Sequence, residues 1–207
     1  MPLIPLLFAA AAGGALSIPN LLAANSTYPP DALRAGKSAG ANIALVVDAQ
    51  GRVARCDTRE TFGDPAFGRQ FCALISANHY KPAKARDGSP VWYRFDGLYT
   101  MFLSDTAQGR QMQALQANQP AAGELAVSRL PGGVNRARVA VLLLVDPTGA
   151  VTDCQAGPTE KQSALVTAVC ANRAALSQAP LTDAAGAAVS YVTNLKLDLV
   201  VDGSAPN

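Results

Sequence analysis

The 207-residue chain contains one histidine, one tryptophan and a formal charge of only +2. A single histidine, His79, leaves no histidine-rich metal set, and no Cys-x-x-Cys pair supplies the close spacing of a zinc site or a redox motif. Lys and Arg are scattered with no basic stripe, which argues against nucleic acid as a partner. Neither a glycine-rich phosphate loop nor a dinucleotide fingerprint is present, so no cofactor is expected. Ser76 and His79 stand at i and i+3 of one predicted helix, but no orienting acid or oxyanion donors accompany them. The chain is therefore read as a non-catalytic protein with no catalytic, cofactor-binding or metal-ligating residues.

Charge is also missing from Met1 to Ala24, a stretch rich in Leu, Ala and Gly. Its apolar run from Leu3 to Leu16 and the small residues around Leu22-Ala23-Ala24 read as an export signal. No Lys or Arg precedes the run, and an uncleaved membrane anchor is the alternative. Only in that case is a membrane a partner. Export makes the expected location periplasmic, or anchored in the inner membrane and facing the periplasm.

What the chain does have is a repeat. Val47-Asp48-Ala49-Gln50-Gly51-Arg52-Val53-Ala54-Arg55-Cys56 returns as Val145-Asp146-Pro147-Thr148-Gly149-Ala150-Val151-Thr152-Asp153-Cys154, displaced by 98 positions. The same displacement relates Cys72 to Cys170, Pro82 to Pro180, Gly88 to Gly186, Val91 to Val189 and Tyr93 to Tyr191. An ungapped register over so many positions reads as two copies of one small domain. The expected division is residues 25–103 and 126–207, with a connector at 104–125. Each copy has a thin core, and an exported protein can add a cross-link. A duplicated unit bridges within itself, which pairs Cys56 with Cys72 and Cys154 with Cys170.

Each copy opens on an aliphatic run broken by Asp-x-x-Gly, the signature of a hairpin whose glycine supplies a positive φ. In the first copy the strands are expected over Ala41 to Asp48 and Arg52 to Thr58. Asp48 and Asp146 are read as turn residues bonded to their own backbone. Val53 and Cys56, three apart, face the same side only if the second strand carries a bulge. Phe67, Phe71, Leu74 and Ile75 then form the apolar stripe of a helix from Pro65 to Asn78, capped by Asp64. Val91, Tyr93, Phe95, Tyr99, Met101 and Leu103 alternate along a long final strand, with a bend or bulge at Gly97. In the second copy Thr159 and Gln162 read as a capping box. The fold class is α+β: two tandem small domains, each a short antiparallel sheet made of a hairpin and a long last strand, with a helix packed on one face. The last strand is expected to keep a free edge.

These residues resemble the C-terminal domain of TonB. The resemblance covers about Tyr28 to Leu103 and is carried by Tyr28-Pro29 before Ala32, Val47-Asp48-x-x-Gly51-x-Val53, Tyr80-Lys81-Pro82-Ala83, and Gly88-Ser89-Pro90-Val91. It implies two helices against a three-stranded sheet and capture of a short receptor segment as an added strand in transmembrane transport. It also implies a protein partner, such as the N-terminal segment of a TonB-dependent outer-membrane transporter. Tyr28, Pro29, Tyr93, Arg94, Phe95 and Tyr99 are the peptide-binding positions it carries over. The chain departs from energy-transducing members of the family: Tyr28 follows the apolar N-terminus with no long Pro-rich spacer. The alternative is a structural or assembly protein of the cell envelope whose two copies cover each other without a ligand.

Overall fold

The computed structural model describes residues 14–21 and 28–202. Much of the region read as an export signal lies outside the described residues. In chain order the elements are α1 Pro30–Arg34, β1 Ala39–Val47, β2 Val53–Gly63, α2 Pro65–Arg69, α3 Phe71–Ser76, β3 Ala83–Lys84, β4 Pro90–Met101 and α4 Ala107–Ala117. They continue with β5 Gly123–Val127, β6 Arg136–Val145, β7 Val151–Ala156, α5 Ser163–Ala171, β8 Leu181–Thr182, β9 Ala188–Val189 and β10 Tyr191–Val201.

The hairpins form as their turn chemistry requires. Asp48 Oδ1 accepts from the Gln50 and Arg52 amides at 2.9 Å each, and Asp146 Oδ1 accepts from Thr148 and Ala150 at 2.8 and 3.1 Å. Gly51 and Gly149 take φ of 86° and 92°. Both glycines are also contact points. The Tyr80 amide donates to the Gly51 carbonyl at 2.8 Å and the Gln178 amide to that of Gly149 at 2.9 Å, approaches a side chain would block.

The expected bulge is present in both copies. Val47 pairs with Val53 but Val46 with Arg55, and Val145 pairs with Val151 but Leu144 with Asp153. The extra residue turns Cys56 to the same side as Leu45, and Cys154 to that of Leu143. Disulfides join Cys56 to Cys72 and Cys154 to Cys170, with Cα–Cα distances of 5.4 and 5.3 Å. Each bridge staples a hairpin to the helical layer above it.

That layer differs from the expectation in two details. The stripe Phe67, Phe71 and Ile75 is buried as read, but Gln70 divides the helix into α2 and α3. Burying each of these side chains is worth about 1.5–3 kcal/mol, which holds both short pieces in place despite the break. The Thr159–Gln162 capping box does not form: Gln162 Nε2 donates to the Arg138 carbonyl, and Glu160 Oε1 accepts from the Lys161 and Gln162 amides. The carboxylate two residues earlier outcompetes the hydroxyl for those donors.

The free edge expected for the last strand is corrected in part by the topology, which covers it over Trp92–Arg94. The sheet runs β2-β1-β4-β10-β6-β7, so the final strands of the two copies meet at its centre. β4 and β10 pair in parallel over Trp92–Arg94 and Tyr191–Thr193, and the Trp92 amide donates to the Ser190 carbonyl at 3.3 Å. Pairing of β4 with β1 runs through Gly97 without a register shift, so no bulge occurs there. The glycine instead lies under the Phe95 ring, where a Cβ would come within 3.2 Å of it.

Side-chain parity shows how the copies are related. Tyr93 shares a face with Leu45, whereas Tyr191 sits opposite Trp92 and Val145 and therefore on the other face. Phe67, Phe71 and Ile75 pack on the first face together with Leu142 and Val192 from the second copy. Leu165, Val166 and Val169 pack on the second face together with Val46 and Trp92 from the first. Equivalent strands running parallel with their helices on opposite faces define a pseudo-twofold axis along the strands. Each core borrows residues from the other copy.

Candidate functional site

After Arg94 the two central strands separate. β10 pairs with β5 in parallel from Leu197 to Val201, and the Ala122 amide donates to the Lys196 carbonyl at 2.7 Å. The corresponding side of β4 opens into a cleft of about 550 Å³. Phe95, Asp96, Gly97 and Leu98 line it from β4, Asn194 and Lys196 from β10, and Pro120, Ala121 and Ala122 from the connector. Strand pairing on this side of β4 ends at Arg94. The cleft also reaches Asn42 and Ile43 of β1 and Arg59 and Glu60 of β2, so it runs from this side of β4 across the sheet. Phe95–Leu98 have no strand partner on that side among the described residues, an arrangement that leaves room for a further strand.

The residues singled out from sequence fall into two groups. Tyr28 and Tyr99 belong to an aromatic string beneath α2 and α3, and Pro29 follows Tyr28 at the start of α1. Ring centroids are 5.5 Å apart for Tyr28–Phe67, 5.2 Å for Phe67–Phe71 and 5.2 Å for Phe71–Tyr99. Each such contact is worth about 0.5–1.5 kcal/mol beyond its buried area. The Tyr28 hydroxyl donates to the Lys37 carbonyl and lies 3.5 Å from that of Met101, tying the lead-in to the end of β4. Burial raises its phenol pKa. Pro29 precedes α1 and its carbonyl accepts from the Leu33 amide at 2.9 Å.

Tyr93, Arg94 and Phe95 lie where β4 and β10 part. Tyr93 is 2% exposed, and burial pushes its phenol far above the usual range. Its hydroxyl donates to Asn194 Oδ1 of the other copy at 3.2 Å. Arg94, on the opposite face, pairs with Asp96 at 2.7 Å, and Asp96 also receives Arg59 at 3.2 Å. With Arg55 and Asp57 these side chains edge a second, smaller hollow of about 140 Å³. Of the six positions, Phe95 alone lines the larger cleft.

Sequence reasoning missed the other wall of that cleft. Asn194, Lys196 and the Pro120–Ala122 stretch come from the second copy and from the connector, and only the parallel pairing of β4 with β10 brings them near Phe95. A faint signal existed in Leu125 and Val127 alternating with Glu124 and Ala126, which marks β5. No group of His, Cys, Asp and Glu suited to a metal ion occurs among the described residues.

The first copy thus combines a hairpin, a helical layer and a long strand that lacks a strand partner beyond Arg94 on its β10 side among the described residues. Residues 24–98 match the model of the family described as Gram-negative bacterial TonB protein C-terminal. Over that stretch the chain is similar to a TonB C-terminal domain, and that family is one of protein-interaction domains. No curated protein and no solved structure matches the chain. No described helix is long and apolar enough to cross a membrane.

Proposed function

We propose that the protein is a non-catalytic, periplasmic binding protein that receives an extended protein segment as an added strand beside β4. The observation that supports this reading best is the stretch Phe95–Leu98, which faces the cleft on the side where pairing with β10 has ended. β5 supports it further, because this segment already lies in parallel along the equivalent strand β10. The second copy uses its own chain there, so the ligand belongs to the first.

A partner consistent with the family is the N-terminal segment of a TonB-dependent outer-membrane transporter. Main-chain hydrogen bonds to β4 supply the affinity, and Phe95, Arg59, Asp96 and Lys196 supply side-chain selection. Tyr28, Pro29, Tyr93, Arg94 and Tyr99 act from behind this wall: the first two and Tyr99 hold β4 against the helices, and Tyr93 and Arg94 fix the point where the strands part. The second reading, an envelope structural protein whose copies merely cover each other, is favoured by the pairing at Trp92–Arg94 and by the burial of Tyr93.

Titration of the full chain with synthetic transporter N-terminal peptides, followed by amide chemical shifts, separates the two. Strand addition moves the amides of Phe95–Leu98 and leaves those of Leu197–Val201 unchanged. Ala121→Trp, which fills the cleft, weakens binding at least about tenfold, or about 1.4 kcal/mol, without lowering Tm. Absence of binding, or shifts confined to β10, favours the structural reading.

A further inference from the structure

Gly14–Leu21 lies in the region read from sequence as a leader, yet it is seated on the folded body like an edge strand. The Ser17 amide donates to the Lys84 carbonyl at 3.1 Å, and the Lys84 amide returns a bond to the Ser17 carbonyl at 3.2 Å. At Leu16 the side-chain amide of Gln155, from β7 of the other copy, plays the part of a strand. The Leu16 amide donates to Gln155 Oε1 and Gln155 Nε2 donates to the Leu16 carbonyl, both at 2.8 Å. Leu16 is 3% exposed within the first core, Pro19 is buried, and Ile18 and Leu21 pack beside them.

The seat is specific at its far end too. A Cβ at position 14 would lie 2.5 Å from the Arg86 carbonyl oxygen, so glycine alone fits without movement. Arg86 Nη1 donates to the Gly14 carbonyl at 3.4 Å. Its guanidinium is held by two bonds to Asp153, at 2.7 and 2.9 Å, across the join between the copies. The repeat gives an independent check. A displacement of 98 positions sets Ala184 against Arg86, Arg55 against Asp153 and Asp57 against Gln155. The residues that grip the segment are those in which the copies differ, whereas β3 and β8 correspond position for position.

We infer that the outer edge of β3, with Gln155 and Arg86, is a second strand-docking seat whose resident ligand is the chain's own Gly14–Leu21. The segment therefore belongs to the mature folded protein, and any leader ends before Gly14. The small residues Ala9–Ala12 offer a peptidase the same pattern as Leu22-Ala23-Ala24. This assignment is independent of the cleft beside β4.

Two measurements on the full chain, exported in a Gram-negative host and purified from the periplasmic fraction, test it. Intact mass and N-terminal sequencing are expected to place the first residue at or before Gly14; a first residue beyond Gly14 overturns the assignment. Amide hydrogen exchange then distinguishes seating from mere retention. Leu16, Ser17 and Lys84 are expected to be protected, and Gln155→Ala to speed exchange at Leu16 at least about tenfold while Val141 and Leu143 stay unchanged. Unprotected Leu16 and Ser17 amides in the wild-type protein, or no change at Leu16 in Gln155→Ala, overturn it.

Discussion

The two copies agree where turn chemistry and the cross-link fix the chain, and part company where an edge must be covered. Both have the Asp-x-x-Gly hairpin, the bulge one residue past its first pair, and a bridge closing 16 positions. They differ along the outer sides of their strands. β10 takes β5 as a neighbour over Leu197–Val201, a stretch that matches Tyr99–Leu103 just past the part of β4 that faces a cleft, and β3 takes Ser17 where β8 has only β9 as a strand partner among the described residues. Two sequence repeats that pair their last strands in the middle of one sheet leave two kinds of edge to manage, and each meets them with different segments.

The largest expected effect bears on what the copies share. Replacing Cys56 and Cys72 together by Ala is expected to cost about 3 kcal/mol in urea denaturation, and replacing Cys154 and Cys170 the same, because the closed loops are equally long. Unequal losses would break the equivalence. The hairpin glycines come next. A Cβ would stand 1.8 Å from the Tyr80 carbonyl oxygen at Gly51 and 2.2 Å from that of Gln178 at Gly149. Each change to Ala is expected to cost about 1–3 kcal/mol, with Gly51 the more sensitive. Gly88 and Gly186 share the positive φ but have nothing within 4 Å, so there Ala costs only the backbone strain, about 1–2 kcal/mol.

The acid limb sharpens a difference. Asp198, 5% exposed, is held by Arg138 at 2.7 Å and Arg136 at 2.8 Å, while Thr100 stands at the matching place in the first copy. Hydrogen bonding to Arg138, opposed by burial and reinforced by Arg136, keeps its carboxyl below the usual carboxylate range. A depressed folded-state pKa means stability that is present above the unfolded value of about 3.9 and lost as pH falls through the folded one. Tm measured from pH 7 down to pH 3 is therefore expected to fall less steeply in Asp198→Asn than in the wild type. The smallest effect on stability is that of Ala121→Trp, whose readout is affinity alone.

The parts legible from sequence were those set locally. Asp48 and Asp146 announce their turns, Val53 and Cys56 require the bulge, and Phe67, Phe71 and Ile75 mark a buried stripe. β2 was read as ending at Thr58; Arg59 and Glu60, outside any apolar pattern, continue the strand to Gly63 across a second register shift. Parallel pairing of β4 with β10 left no local trace, since it joins residues nearly a hundred positions apart. The cleft inherits that difficulty: its β4 wall was visible in the alternation around Phe95, but Lys196 and Ala121 reach it only through that pairing.

Trp92 offers the most direct test of a single sheet shared by both copies. It is the sole tryptophan, it belongs to the first copy, and it packs against the core of the second. Its fluorescence, followed with far-UV circular dichroism through urea denaturation, is expected to change in one transition coincident with loss of secondary structure. Two separated transitions, with Trp92 becoming exposed while half of the strand signal persists, would contradict the account.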